Sequence, residues 1–344
     1  MFSPTAAFSA ALCLGGSIAT AATVSSPANQ WVPIIHANPN AADPALDHQT
    51  GVRDSDIVGN ATHPSFYTTF THNGTPEDPS DDLIGFRLRV AGDQNPSGFA
   101  STFWVGMDVN SDGKIDLFAG GVEGSTVGLY RAGSGLNNSP STTSIDSHHP
   151  IFRVAANTSN YHFAPVTAAL DPSASNFNLD GGSGGGGTHT DHFVSFMIPF
   201  DELVDAVADL GIDGFGESDP IRYVTATSNQ PNSLNQDLNG IPKEFDSSLT
   251  WVQLGGFTPY YSATGELVQA PDQVPEPGVS GHDQAVEQGV HGGAHVPIRP
   301  HAPRARAAPV IPAGPAPRRR GPSAGRWSAA SAPRSSPGRR SRRG

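Results

Sequence analysis

The residues best suited to chemistry are Asp108-Val109-Asn110-Ser111-Asp112-Gly113-Lys114-Ile115-Asp116. Side-chain oxygens fall at positions 1, 3, 5 and 9 of this stretch, with glycine at position 6. A hard divalent cation such as calcium takes six to eight oxygen ligands, and alternate residues of a tight loop can point inward to supply them. Gly113 permits the sharp turn, Lys114 offers its backbone carbonyl, and Ile115 anchors the loop to a core. The expected ion is Ca2+, held by Asp108, Asn110, Asp112, Lys114 and Asp116. An ordinary Asn/Asp/Gly hairpin turn is the competing reading of the same residues.

Other polar clusters carry weaker patterns. Asp43, Asp47, Asp54 and Asp56 could form a second calcium site, but their spacing has no loop signature, and a solvated acidic surface is the expectation. Asn232, Asn235, Gln236 and Asp237 suggest a sugar- or ion-binding loop, or simply an Asx-rich turn. His148, His149, His162, His189 and His192 raise zinc as an option, but no His-Glu-x-x-His element supports it. No catalytic carboxylate pair stands out. The glycines between Asp180 and Asp191 lack the Lys and Ser/Thr of a phosphate loop.

The elements that must position these residues read as short strands. In Asp82–Val90 the apolar Phe86, Leu88 and Val90 alternate with Arg87 and Arg89, as in a half-buried strand. Further strands are expected over 65–70, 102–107, 114–118, 127–130, 151–155, 192–198, 221–226 and 249–254, separated by Gly, Asn, Asp, Pro and Ser. Residues 199–211 form the one amphipathic helix, with Leu203, Val207 and Leu210 on one face, Asp201 as N-cap and Gly211 as stop. The expected fold class is mainly β, an antiparallel β-sandwich of jelly-roll type.

Charge divides the chain. Between residues 22 and 276 there are eight Lys and Arg against thirty Asp and Glu, and beyond residue 276 twelve against two. The acidic body disfavours nucleic acid and anionic lipid as partners but attracts divalent cations. Most of its carboxylates lack basic partners and must be solvated or metal-bound. The single cysteine is Cys13, so a chain without its first 22 residues has no disulfide, thiolate nucleophile or Cys-ligated zinc.

Residues 1–22 read as a secretory signal peptide. An apolar run, Ala6–Ala19, leads into Ala19-Thr20-Ala21, although the first five residues carry no Lys or Arg. Residues 23–270 form the expected ectodomain, and 271–344 a Pro/Ala/Arg-rich tail unable to bury a core. Val274-Pro275-Glu276-Pro277-Gly278 resembles the start of the PEP-CTERM sorting signal of exosortase-processed bacterial surface proteins. That signal continues as an apolar membrane helix, but here Arg-rich sequence follows. The tail is therefore either a basic arm or out-of-frame translation beyond Gly278, and on the second reading the membrane anchor is lost.

Two further resemblances concern the body. Asp82–Val90, Phe103–Asp108 and Phe193–Pro199 resemble carbohydrate-binding module family 9 and DOMON-like β-sandwiches. The 108–116 loop resembles the calcium loops of thrombospondin-type and dockerin-like repeats. It departs from an EF-hand because position 12 is Ala119, so the missing ligand must come from elsewhere, with Asp78, Asp81, Asp82, Asp93 and Glu123 as candidates. Together these imply a secreted, non-catalytic, calcium-binding surface or matrix protein with extracellular polysaccharide as its ligand class. Trp104, Trp251, Tyr260 and Tyr261 are available for sugar stacking. The alternative is a secreted polysaccharide hydrolase acting through two carboxylates. Expressed with its leader in a Gram-negative host, the chain should be exported and begin near Ala22 or Thr23. Mass spectrometry finding cytosolic protein with Met1 intact would overturn export.

Overall fold

The computed structural model describes residues 22–36, 43–49, 53–92, 98–180 and 190–271, all in one compact unit. The expected signal peptide and the Pro-Glu-Pro tail lie outside these residues. The alternating apolar segments build two antiparallel sheets. The first contains β1 (Val32–Ile34), β2 (Phe66–Thr71), β3 (Leu83–Val90), β8 (Tyr161–Pro165) and β9 (His192–Pro199), in the order β1-β2-β3-β9-β8. The second contains β4 (Thr102–Asp108), β5 (Leu117–Val122), β6 (Thr126–Ala132), β7 (Ile145–Ala155), β10 (Arg222–Ser228) and β11 (Asp237–Leu238), in the order β11-β10-β4-β5-β6-β7. This is the expected β-sandwich.

Period-two patterning explains how both faces of each sheet are used. Phe66, Phe86, Leu88, Val194 and Phe196 of the first sheet meet Phe103, Val105, Leu117, Leu129 and Tyr223 of the second in the central core. On the outer face of the second sheet, Trp104, Phe118, Tyr130 and Val224 pack with Leu238, Ile241, Trp251 and Phe257. The outer face of the first sheet is covered by Val24, Ala28, Trp31 and Val166.

That cover changes the reading of β3. Arg87 and Arg89 are not half-exposed but fully buried. The Arg87 guanidinium lies 4.2 Å from the Trp31 ring and donates to the Val24 and Ser26 carbonyls. Burial lowers its pKa to about 9. Arg89 donates to Asp191 at 2.8 Å, a charge pair sealed from water.

Some boundaries differ from the expected ones. The helix α1 (Phe200–Ala208) begins after Pro199, which makes no side-chain cap, and Asp201 lies in its first turn. Leu203 and Val207 are buried, but Leu210 is exposed. Gly211 adopts φ +85°, the left-handed stop that glycine allows. The expected strand at 249–254 is instead α2 (Trp251–Leu254), opened by a capping box between Thr250 and Gln253. The expected strand at 114–118 begins only at Leu117, and β1, β8 and β11 were not foreseen.

Close packing at β5 makes a sharp test. A Cβ on Gly120 would overlap ring carbons of the buried Trp104. Gly120→Ala should lower unfolding free energy by about 1–3 kcal/mol in a urea titration, the usual cost of overpacking.

Candidate metal centre

At one edge of the sandwich, described residues of the chain between β1 and β2 lie across both sheets. Ile57 forms an antiparallel bridge with Val90 at the end of β3, and the Val58 amide donates to the Arg89 carbonyl at 3.1 Å. The Ile57 amide also donates to Asp237 Oδ2 at 2.6 Å, tying the crossing segment to β11. The Gln49 amide donates to the Gln236 carbonyl at 2.6 Å. Around these ties the interior is polar: Ser65 donates to Asn239, and Asn239 to Thr225.

Four carboxylates converge at this edge. Oxygens of Asp43, Asp47 and Asp237 all lie within 4.8 Å of one another. The three residues are only 2, 9 and 1% exposed, and Asp56 is fully buried beside them. Asp237 is fixed by the Ile57 and Leu238 amides, and Asp43 Oδ1 accepts from the Gly240 amide at 2.5 Å. Asp43 Oδ2 is buried without a partner, and no donor from another residue reaches either oxygen of Asp47. Among the described residues no Lys or Arg forms an ion pair with any of the four.

Electrostatics follow from that geometry. Burial holds the Asp47 carboxyl up at about 7, reinforced by Asp56, with attraction from Lys243 a minor offset. Burial also raises Asp43 well above the carboxylate range, with Asp237 and Asp47 adding repulsion. Asp237 is raised by burial and by Asp47 and Asp56. Ionised, these groups would bring several uncompensated charges into a dry site, at a cost of several kcal/mol each. Bound oxygen-seeking metal removes that cost, so the cluster is one that could hold a metal ion.

The sequence-level expectations are partly redistributed here. Asp43, Asp47, Asp54 and Asp56 are not a solvated surface, since all four are buried. Asp237, from a cluster more than 170 residues away in the chain, completes the centre with Asp43 and Asp47. Only the antiparallel pairing of β11 with β10 brings it there. The histidine group does not assemble among the described residues: His148 and His149 are exposed on β7, and His192 stacks on Phe163. Trp104, Trp251 and Tyr261 are buried, and Tyr260 lies over Arg222, so these aromatics offer no open stacking platform.

The 108–116 loop is built differently. Its oxygens mostly serve the loop itself: Asp116 accepts from the Val109 amide and Asn110 Nδ2, Asn110 from the Asp112 amide, and Asp112 from the Lys114 amide. Gly113 takes φ +82° and donates to Asp108. Asp108 Oδ2 pairs with Arg222, and Asp112 Oδ2 with Lys114 Nζ at 2.7 Å. Burial raises Asp116 to about 7. Its three carboxylates do not come together as Asp43, Asp47 and Asp237 do.

A raised carboxyl pKa has a definite signature. A group protonated more readily folded than unfolded stabilises the fold at low pH, and that contribution is lost as pH rises through the folded value. For Asp47 the window runs from about 4 to about 7. His36, buried and lowered to about 4, acts in the opposite sense at acid pH, so the comparison must isolate Asp47. In chelator, Asp47→Asn should melt above wild type at pH 8, and the gap should shrink towards pH 5. A gap independent of pH would contradict the assignment. Compared with models of known families, with curated proteins and with solved structures, the chain matches none.

Proposed function

We propose that this chain is a secreted, non-catalytic surface or matrix protein whose β-sandwich is locked by calcium at Asp43, Asp47 and Asp237. The observation that carries this reading is the convergence of three buried carboxylates, two with unpartnered oxygens, at an edge with no ion-paired Lys or Arg among the described residues. An all-oxygen set of charged ligands suits a hard cation, whereas zinc favours thiolate or imidazole. Calcium accepts irregular, oxygen-rich sites more readily than magnesium, which demands near-octahedral geometry and sheds water reluctantly.

Residues 43–49 explain what the ion does. Their only buried side chains are Asp43 and Asp47, so no apolar residue holds this stretch against β11. The cation supplies the attraction that a hydrophobic anchor would supply elsewhere, and so closes the edge between the sheets. A hydrolase reading would need its carboxylates on an open cleft. These are sealed, which favours the structural role.

Calcium added to chelator-treated protein at about a hundredfold excess over Kd should stabilise it by roughly 2.7 kcal/mol, seen as a higher Tm. Asp47→Asn should lose most of that increment, and magnesium should give less of it. Asp112→Ala should keep it, because the Asp112 carboxylate is exposed and already engaged by Lys114. A wild-type melting curve identical in calcium and chelator would end the proposal.

A further inference from the structure

Asp56 touches the centre without belonging to the group of three close ligands. Its carboxylate is nevertheless fully committed. Oδ2 accepts the Leu46 amide at 2.6 Å, and Oδ1 accepts the His48 amide at 3.0 Å and the His48 ring Nδ1 at 2.9 Å. Its backbone is pinned as well: the Asp56 amide donates to the Arg53 carbonyl, and the Asp56 carbonyl accepts from Ala91. A single rigid side chain therefore grips the residues on either side of Asp47.

The gripped backbone is one the sequence would not choose. Leu46 has φ +74°, in the left-handed region that a bulky branched residue enters only at a cost. Nothing in the core recoups this, because the Leu46 side chain is 42% exposed. What the conformation does accomplish is to turn Asp47 inward, so that its carboxylate lies within 4.8 Å of those of Asp43 and Asp237.

We infer that Asp56 is a positioning residue, which holds the left-handed Leu46 turn and thereby presents Asp47 to the cation. This rests on the cation reading given above. It adds a division of labour: Asp43, Asp47 and Asp237 bind, while Asp56 acts through backbone amides. Residues that orient metal ligands in this way are typically worth about 10–100-fold in affinity.

The position of Leu46 on the surface makes the idea testable without disturbing the core. Calcium chloride is titrated calorimetrically into the full chain and its variants, with Tm in chelator recorded as a control for the fold. Asp56→Asn should weaken calcium about tenfold. Leu46→Val, which disfavours the left-handed region further, should weaken it several-fold, whereas Leu46→Gly should not weaken it. Leu46→Gly placed in Asp56→Asn should recover most of the lost affinity, because glycine adopts the turn unaided.

The outcomes separate cleanly. Wild type that binds no calcium removes the cation reading and this inference with it. Binding abolished by Asp47→Asn but unchanged by Asp56→Asn and Leu46→Val leaves the cation reading standing and overturns the positioning role. Loss in Asp56→Asn without recovery by Leu46→Gly also overturns it, assigning the effect to charge alone. Should Asp56→Asn fail to fold, the Leu46→Val and Leu46→Gly pair decides the question unaided.

Discussion

Like charges held together in a dry place repel one another, and at the crossing edge of this sandwich four carboxyl groups are so held. Much of the local architecture serves to keep them there. Backbone amides from Leu46, His48, Ile57, Leu238 and Gly240 all point their hydrogens at these carboxylates. Amide dipoles soften the repulsion but carry no net charge, so they position the groups without neutralising them. The contrast with Arg89 is instructive. There a buried guanidinium meets Asp191 directly, and the first sheet's outer face is closed by internal chemistry alone. At the crossing edge no Lys or Arg is so paired among the described residues.

The sequence disclosed the class of fold because period-two alternation is a local signal, and most of the longer strands fell close to their expected places. Where it misled, long-range context had outweighed local pattern. Residues 249–254 are apolar enough for a strand, yet a Thr250–Gln253 capping box winds them into a helical turn. Arg87 and Arg89 looked like an outward face until the N-terminal stretch and the segment around Val166 folded over them.

The candidate site was legible only in fragments. Asp43, Asp47 and Asp56 drew notice as a cluster, and Asp237 drew notice in another. Nothing local links them, because their meeting depends on the pairing of β11 with β10 and on the path of the chain across the edge. The spacing at 108–116, by contrast, is wholly local and so was conspicuous in the sequence. Asx-type hydrogen bonds, Lys114 and Arg222 account for most of its oxygens, although Asp108 Oδ1 is buried without a partner.

The separation of Asp47 from Asp237 along the chain also bears on the order of events in folding. Closing a loop of that length is entropically costly, and residues 43–49 bury no apolar side chain that could reward early docking. Both terms favour assembly of the two sheets ahead of this edge. Interactions absent from the transition state slow unfolding and leave the folding rate almost untouched. An ion captured at this edge would act as a brake on departure from the native state.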